Sequence, residues 1–98
     1  LGAILLQKFV KIKLHYRSIK VNIIGPNIRQ YRKIQDLTQE QLVARCNLNG
    51  WNISRSTLAK IESQVRRVTD IEVKLLATAL EIKVQELFDN SLTNYIKT

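Results

Sequence analysis

The sequence predicts an all-α fold of five short helices preceded by a basic extension, and three observations carry that expectation. Thr38 with Gln41, and Thr69 with Glu72, have the spacing of capping boxes, in which a hydroxyl and a side chain three residues on satisfy backbone donors at a helix start. Apolar residues between positions 25 and 88 recur at intervals of three and four, the period of a helix with one inward face. Gly25-Pro26 and the Asn- and Gly-rich stretch over residues 47–52 punctuate the pattern as boundaries or turns. The expected organisation is a basic N-terminal extension over residues 1–24, a helical domain over 25–90 and a tail over 91–98.

In the extension, Val10, Ile12, Leu14 and Tyr16 alternate with Lys11, Lys13, His15 and Arg17, and Ile19, Val21 and Ile23 alternate again. Period two suggests strands with a turn near Arg17-Ser18, although Leu5, Phe9 and Ile12 also admit a helix. Residues 1–19 are read in two ways: an upstream-frame or artificial extension that packs opportunistically, or a basic arm that grips phosphates or enters a minor groove.

The first helix is expected from Pro26 to Gln35, since proline suits a first helical turn. Ile28, Tyr31 and Arg32 face the core, while Arg29, Gln30 and Lys33 face outward as solvated charges. Thr38 starts a second helix at Gln39, with Leu42, Val43 and Cys46 inward and Gly50 supplying the left-handed residue at its end. Trp51 and Ile53 lie in the following turn, where the tryptophan plugs the core or offers a stacking platform.

Ser54 caps a third helix over residues 54–63, in which Leu58, Ile61 and Val65 form a narrow inward seam. Its other faces carry Arg55, Ser56, Ala59, Lys60 and Ser63. Guanidinium and ammonium groups donate to guanine O6 and N7, and hydroxyls donate or accept, so this protruding polar edge suits a DNA major groove. A loop over residues 64–68 bears Arg66 and Arg67. Thr69 opens a fourth helix with Ile71, Leu75, Leu76, Ala79 and Leu80 on its stripe, and Val84, Leu87 and Phe88 define a fifth. Leu92, Tyr95 and Ile96 extend the same spacing.

Three blocks in this order resemble a known family, the XRE family of helix-turn-helix domains found in phage repressors and Cro proteins. They are Ile28-Arg29 and Arg32 with the run Leu37-Thr38-Gln39-Glu40-Gln41-Leu42, then Ser54 to Glu62, then Leu76 to Phe88. The resemblance implies a compact five-helix repressor-like bundle that binds double-stranded DNA, most often as a homodimer. It implies that Arg55, Ser56 and Lys60 face base edges, that Gln39 and Thr57 touch the DNA backbone, and that Arg66 and Arg67, in a loop lying beside that backbone, contact phosphates. It also implies a buried salt bridge between Arg32 and Glu62. The sequence departs from the family in a longer turn between Cys46 and Ser54, and in Asp36 and Glu81 where glycines are usual.

Composition narrows the function classes. The chain has 98 residues, a formal net charge of +8 and 45% hydrophobic residues. All of the surplus is N-terminal: residues 1–35 hold eight basic residues and no Asp or Glu, and the remainder balances. Such asymmetry favours contact with a polyanion. A single cysteine excludes an internal disulfide and fits the reducing cytoplasm. No apolar run reaches the length of a membrane span, so no membrane role is expected.

His15 and Cys46 stand alone as metal ligands, and neither a nucleophile–base pair nor a glycine-rich phosphate loop is present, so no metal, cofactor or catalytic residue is expected. The expected function is a sequence-specific transcriptional regulator, a repressor on a palindromic operator. The alternative is an antitoxin-like module whose main ligand is a protein partner, docked on Leu92, Tyr95 and Ile96 or on Leu1 to Leu6.

Overall fold

The computed structural model describes residues 19–89. Among the described residues five helices follow one another: α1 over Gly25–Ile34, α2 over Gln39–Leu48, α3 over Arg55–Glu62, α4 over Asp70–Ala79 and α5 over Val84–Phe88. α3 packs against both α1 and α2, α4 joins α2 to α5, and α5 closes back on α1. Between them Ile24, Ile28, Leu42, Cys46, Leu58, Ile61, Leu76, Leu80 and Leu87 are fully buried. The period-two stretch from Val10 to Arg17 and the tail with Leu92, Tyr95 and Ile96 lie outside the described residues.

Side chains set the starts of α2, α3 and α4. Thr38 Oγ1 accepts from the Gln41 N–H at 3.1 Å while Gln41 Oε1 accepts from the Thr38 N–H at 2.8 Å. Thr69 and Glu72 repeat the exchange at 3.2 and 3.0 Å. Ser54 Oγ accepts from the Thr57 N–H at 3.2 Å, which fixes the first turn of α3. Each of these satisfies donors that a helix start leaves without an internal partner.

The ends of α1, α2, α3 and α4 share one device. Asp36, Gln64 and Glu81 adopt φ of 59°, 68° and 57°, and Gly50 adopts 87°. In each case the next N–H returns to a carbonyl five residues back: Leu37 to Arg32, Trp51 to Cys46, Val65 to Lys60 and Ile82 to Ala77, all at 3.0 Å. Asp36 and Glu81 thus take up the left-handed geometry that glycine would have adopted with less strain.

Two inward residues expected from periodicity point outward instead. Val65 is 64% exposed, because α3 stops at Glu62 and the left-handed Gln64 swings the chain away before Val65 can join Leu58 and Ile61. Ile71 is 69% exposed. The stripe of α4 is centred on Val73, Leu76, Ala77 and Leu80, and Ile71, two residues before Val73, lies on the opposite side.

Trp51 is half-buried against the core beside the buried Ile53. Asn47 Nδ2 donates to the carbonyls of both, at 2.9 and 3.3 Å, so the long turn is held from within. Burial pushes the Cys46 thiol up to about 11, which leaves it protonated at neutral pH.

The chain before α1 is irregular rather than a strand over residues 19–24, and its polar groups are spent elsewhere. Asn22 Nδ2 donates to the carbonyls of Ile61 at 3.1 Å and Arg66 at 2.8 Å, and Asn22 Oδ1 accepts from the Gly25 N–H at 2.8 Å. The Val21 N–H reaches Gln64 O at 3.0 Å. This segment therefore ties the N-terminus of α1 to the C-terminal end of α3. The approach is so close that a Cβ on Gly25 would collide with the backbone carbonyls of Ile61 and Glu62. At the far end, buried Asn27 donates to Leu87 O at 2.8 Å and Asp89 O at 3.1 Å, satisfying carbonyls at the end of α5.

Candidate nucleic-acid interface

α3 is seated by Leu58 and Ile61, which leaves Arg55, Ser56 and Lys60 exposed on its outer surface. Thr57 is half-buried, and its hydroxyl accepts from Ser54 Oγ at 3.0 Å. Arg55 Nε meets Glu40 Oε1 at 2.8 Å, with both side chains more than 60% exposed. A pair so open to water adds little stability, and it yields readily to another acceptor. Lys60 has no ion-pair partner among the described residues.

Behind this surface lies a network around one carboxylate. Arg32 Nε donates to Glu62 Oε2 at 2.8 Å and Arg32 Nη2 to Glu62 Oε1 at 3.0 Å. Arg32 Nη1 adds a bond to Leu37 O at 2.9 Å. Gln39 Nε2 donates to the same Glu62 Oε1 at 3.1 Å. The bidentate pair thus locks α1 to α3, and the amide of Gln39 holds the start of α2 against both.

Arg66 and Arg67, adjacent in sequence, differ in their surroundings. Arg66 Nη1 and Nη2 donate to the two oxygens of Glu72 at 3.0 Å each, and Nη1 also reaches Arg67 O at 2.9 Å. Arg67 is exposed and has no ion-pair partner among the described residues. The hydrogen bonds from Arg66 hold the Glu72 carboxyl below its ordinary range, against the opposing effect of burial.

Because that folded value is depressed, the stabilisation it represents is present above the unfolded carboxyl value near 4.5 and is lost as pH falls through the folded value. Glu72→Gln is therefore expected to lower the thermal midpoint at pH 7 and to match wild type near the acid end of the titration. A gap of equal size at both ends would show that the carboxylate charge contributes nothing.

Sequence reasoning missed three contributors here. Glu40 beside Arg55 and Glu72 beside Arg66 meet their partners across a turn and a loop, and Asn22 reaches α3 from 39 residues away. Only Glu72 left a signal, as half of a capping box.

A polar helix raised on an apolar seam, backed by a buried Arg–Glu pair and preceded by a second capped helix, is the architecture of a DNA-binding helix-turn-helix. The helix-turn-helix family matches residues 28–87, and this chain belongs to it, in its XRE-type branch. The solved structure of the restriction-modification controller protein C.AhdI from Aeromonas hydrophila is similar, with a TM-score of 0.59 and 32% sequence identity, over 66% of this chain and 91% of that one. No curated protein matches the chain. The chain is a DNA-binding transcriptional regulator.

Proposed function

We propose that the protein is a sequence-specific repressor that binds a palindromic operator as a homodimer through α3. The observation that carries this reading is the exposure of Arg55, Ser56 and Lys60 together on a helix whose opposite side is fully buried. Arg55 and Lys60 read base edges, each worth about 1–3 kcal/mol of discrimination when well paired, and Ser56 adds a hydroxyl. Arg55 exchanges Glu40 for a base as it docks.

Gln39, Thr57, Arg66 and Arg67 meet the DNA backbone and set register and salt dependence. Of the two arginines Arg67 contributes more, since Glu72 already occupies much of the guanidinium of Arg66. Two copies place their α3 helices one duplex turn apart, about 34 Å. The likeness to a restriction-modification controller protein supports a role in controlling restriction-modification genes.

Selection of sites from randomised duplex DNA tests the reading directly. The expected result is an enriched palindrome whose preference relaxes at one position per half-site in Lys60→Ala. Equal weakening on every sequence would remove Lys60 from base readout.

A further inference from the structure

A groove of about 820 Å³ runs between α1 and the C-terminal end of α3, and its walls carry Lys20, Arg29 and Lys33 opposite Glu62, Ser63 and Gln64. All three cations are exposed, and none has an ion-pair partner among the described residues. Among the described residues Glu62 is the only acid on the walls, and its two oxygens are already occupied by Arg32 and Gln39. The groove is therefore a positive surface whose charge is not balanced from within.

A second, smaller depression of about 210 Å³ is lined by Arg29, Gln39, Ala59, Glu62 and Ser63. Arg29 stands on the wall of both. One continuous surface thus leads from the start of α2 and the middle of α3, past Arg29, to Lys33 and Lys20.

We infer that this groove is a second DNA-backbone clamp, in which Arg29 and Lys33 hold phosphodiesters flanking the sequence that α3 reads. The inference rests on the regulator reading above and extends its footprint to α1, whose outward charges look merely solvated from sequence. Arg29 and Lys33 are four residues apart on one helix, about 6 Å along its axis. Phosphates of one strand recur every ~3.4 Å of duplex axis, so the two cations, about 6 Å apart, span roughly two phosphate steps. A lipid surface fits poorly, because interfacial helices bury an apolar face in the membrane and the apolar face of α1 is turned into the core.

The test uses the full chain, a selected operator duplex and a scrambled duplex, with affinity measured across a salt series for wild type, Arg29→Gln/Lys33→Gln and Arg29→Lys/Lys33→Arg. In the glutamine variant the slope of log affinity against log salt is expected to become shallower by about 1.8, roughly 0.9 per phosphate contact. The loss falls equally on both duplexes, the ratio between them is kept, and the charge-preserving variant restores the slope. Both substituted positions are exposed, so an unchanged thermal midpoint confirms that folding is intact. An unaltered slope in the glutamine variant, with wild type still preferring its operator, overturns the clamp and leaves the regulator reading standing. A wild-type chain that binds no duplex overturns both.

Discussion

Arg32→Ala is expected to destabilise the domain by about 3–5 kcal/mol in urea denaturation, the range for removing one member of a buried ion pair. The Glu62 side chain is only 4% exposed, so the carboxylate would remain desolvated with a single amide donor from Gln39. The Leu37 carbonyl loses its guanidinium partner as well. Removing both charges together, as Arg32→Met with Glu62→Leu, is expected to cost much less, since neither change strands a charge. A loss below about 1 kcal/mol for Arg32→Ala would mean that water reaches Glu62 and that the pair is not the lock between α1 and α3.

The second large effect separates two residues of the seam expected in α3. Leu58 is fully buried, and Leu58→Ala is expected to cost about 2–5 kcal/mol through lost burial and the cavity it leaves. Val65→Ala is expected to stay within about 0.5 kcal/mol, because its side chain already faces water. Thermal unfolding of the two variants side by side decides the matter. Comparable losses would place Val65 back in the core.

These two residues also show where the sequence is legible. Capping chemistry is local, so Thr38 with Gln41, Ser54, and Thr69 with Glu72 mark helix starts that the structure reproduces. Helical phase is legible only while the helix lasts. Val65 obeys the spacing of Leu58 and Ile61 but lies beyond a left-handed residue, and glutamine gives little warning of that conformation.

Ile71 fails differently, as an apolar residue at the start of a helix whose buried side is set by what it packs against. Asn22 and Asn27 each donate two hydrogen bonds to backbone carbonyls 39 to 62 residues away, and nothing local distinguishes them from turn residues. At the surface of α3, composition alone shows a polar edge. That Arg55 is held by Glu40 while Lys60 has no ion-pair partner among the described residues emerges only once α2 and α3 are placed side by side.

The shared oxygen of Glu62 has a consequence for the timing of entropy loss. Gln39 is a rotamer-rich side chain, and immobilising such a side chain costs up to about 1.5–2 kcal/mol. Its amide is already fixed to Glu62 Oε1 in the folded chain. That loss is therefore incurred during folding, where the whole core offsets it, and not at the moment of association. A partner arriving at the start of α2 meets a side chain with little freedom left to surrender, and the favourable part of the contact passes more fully into affinity.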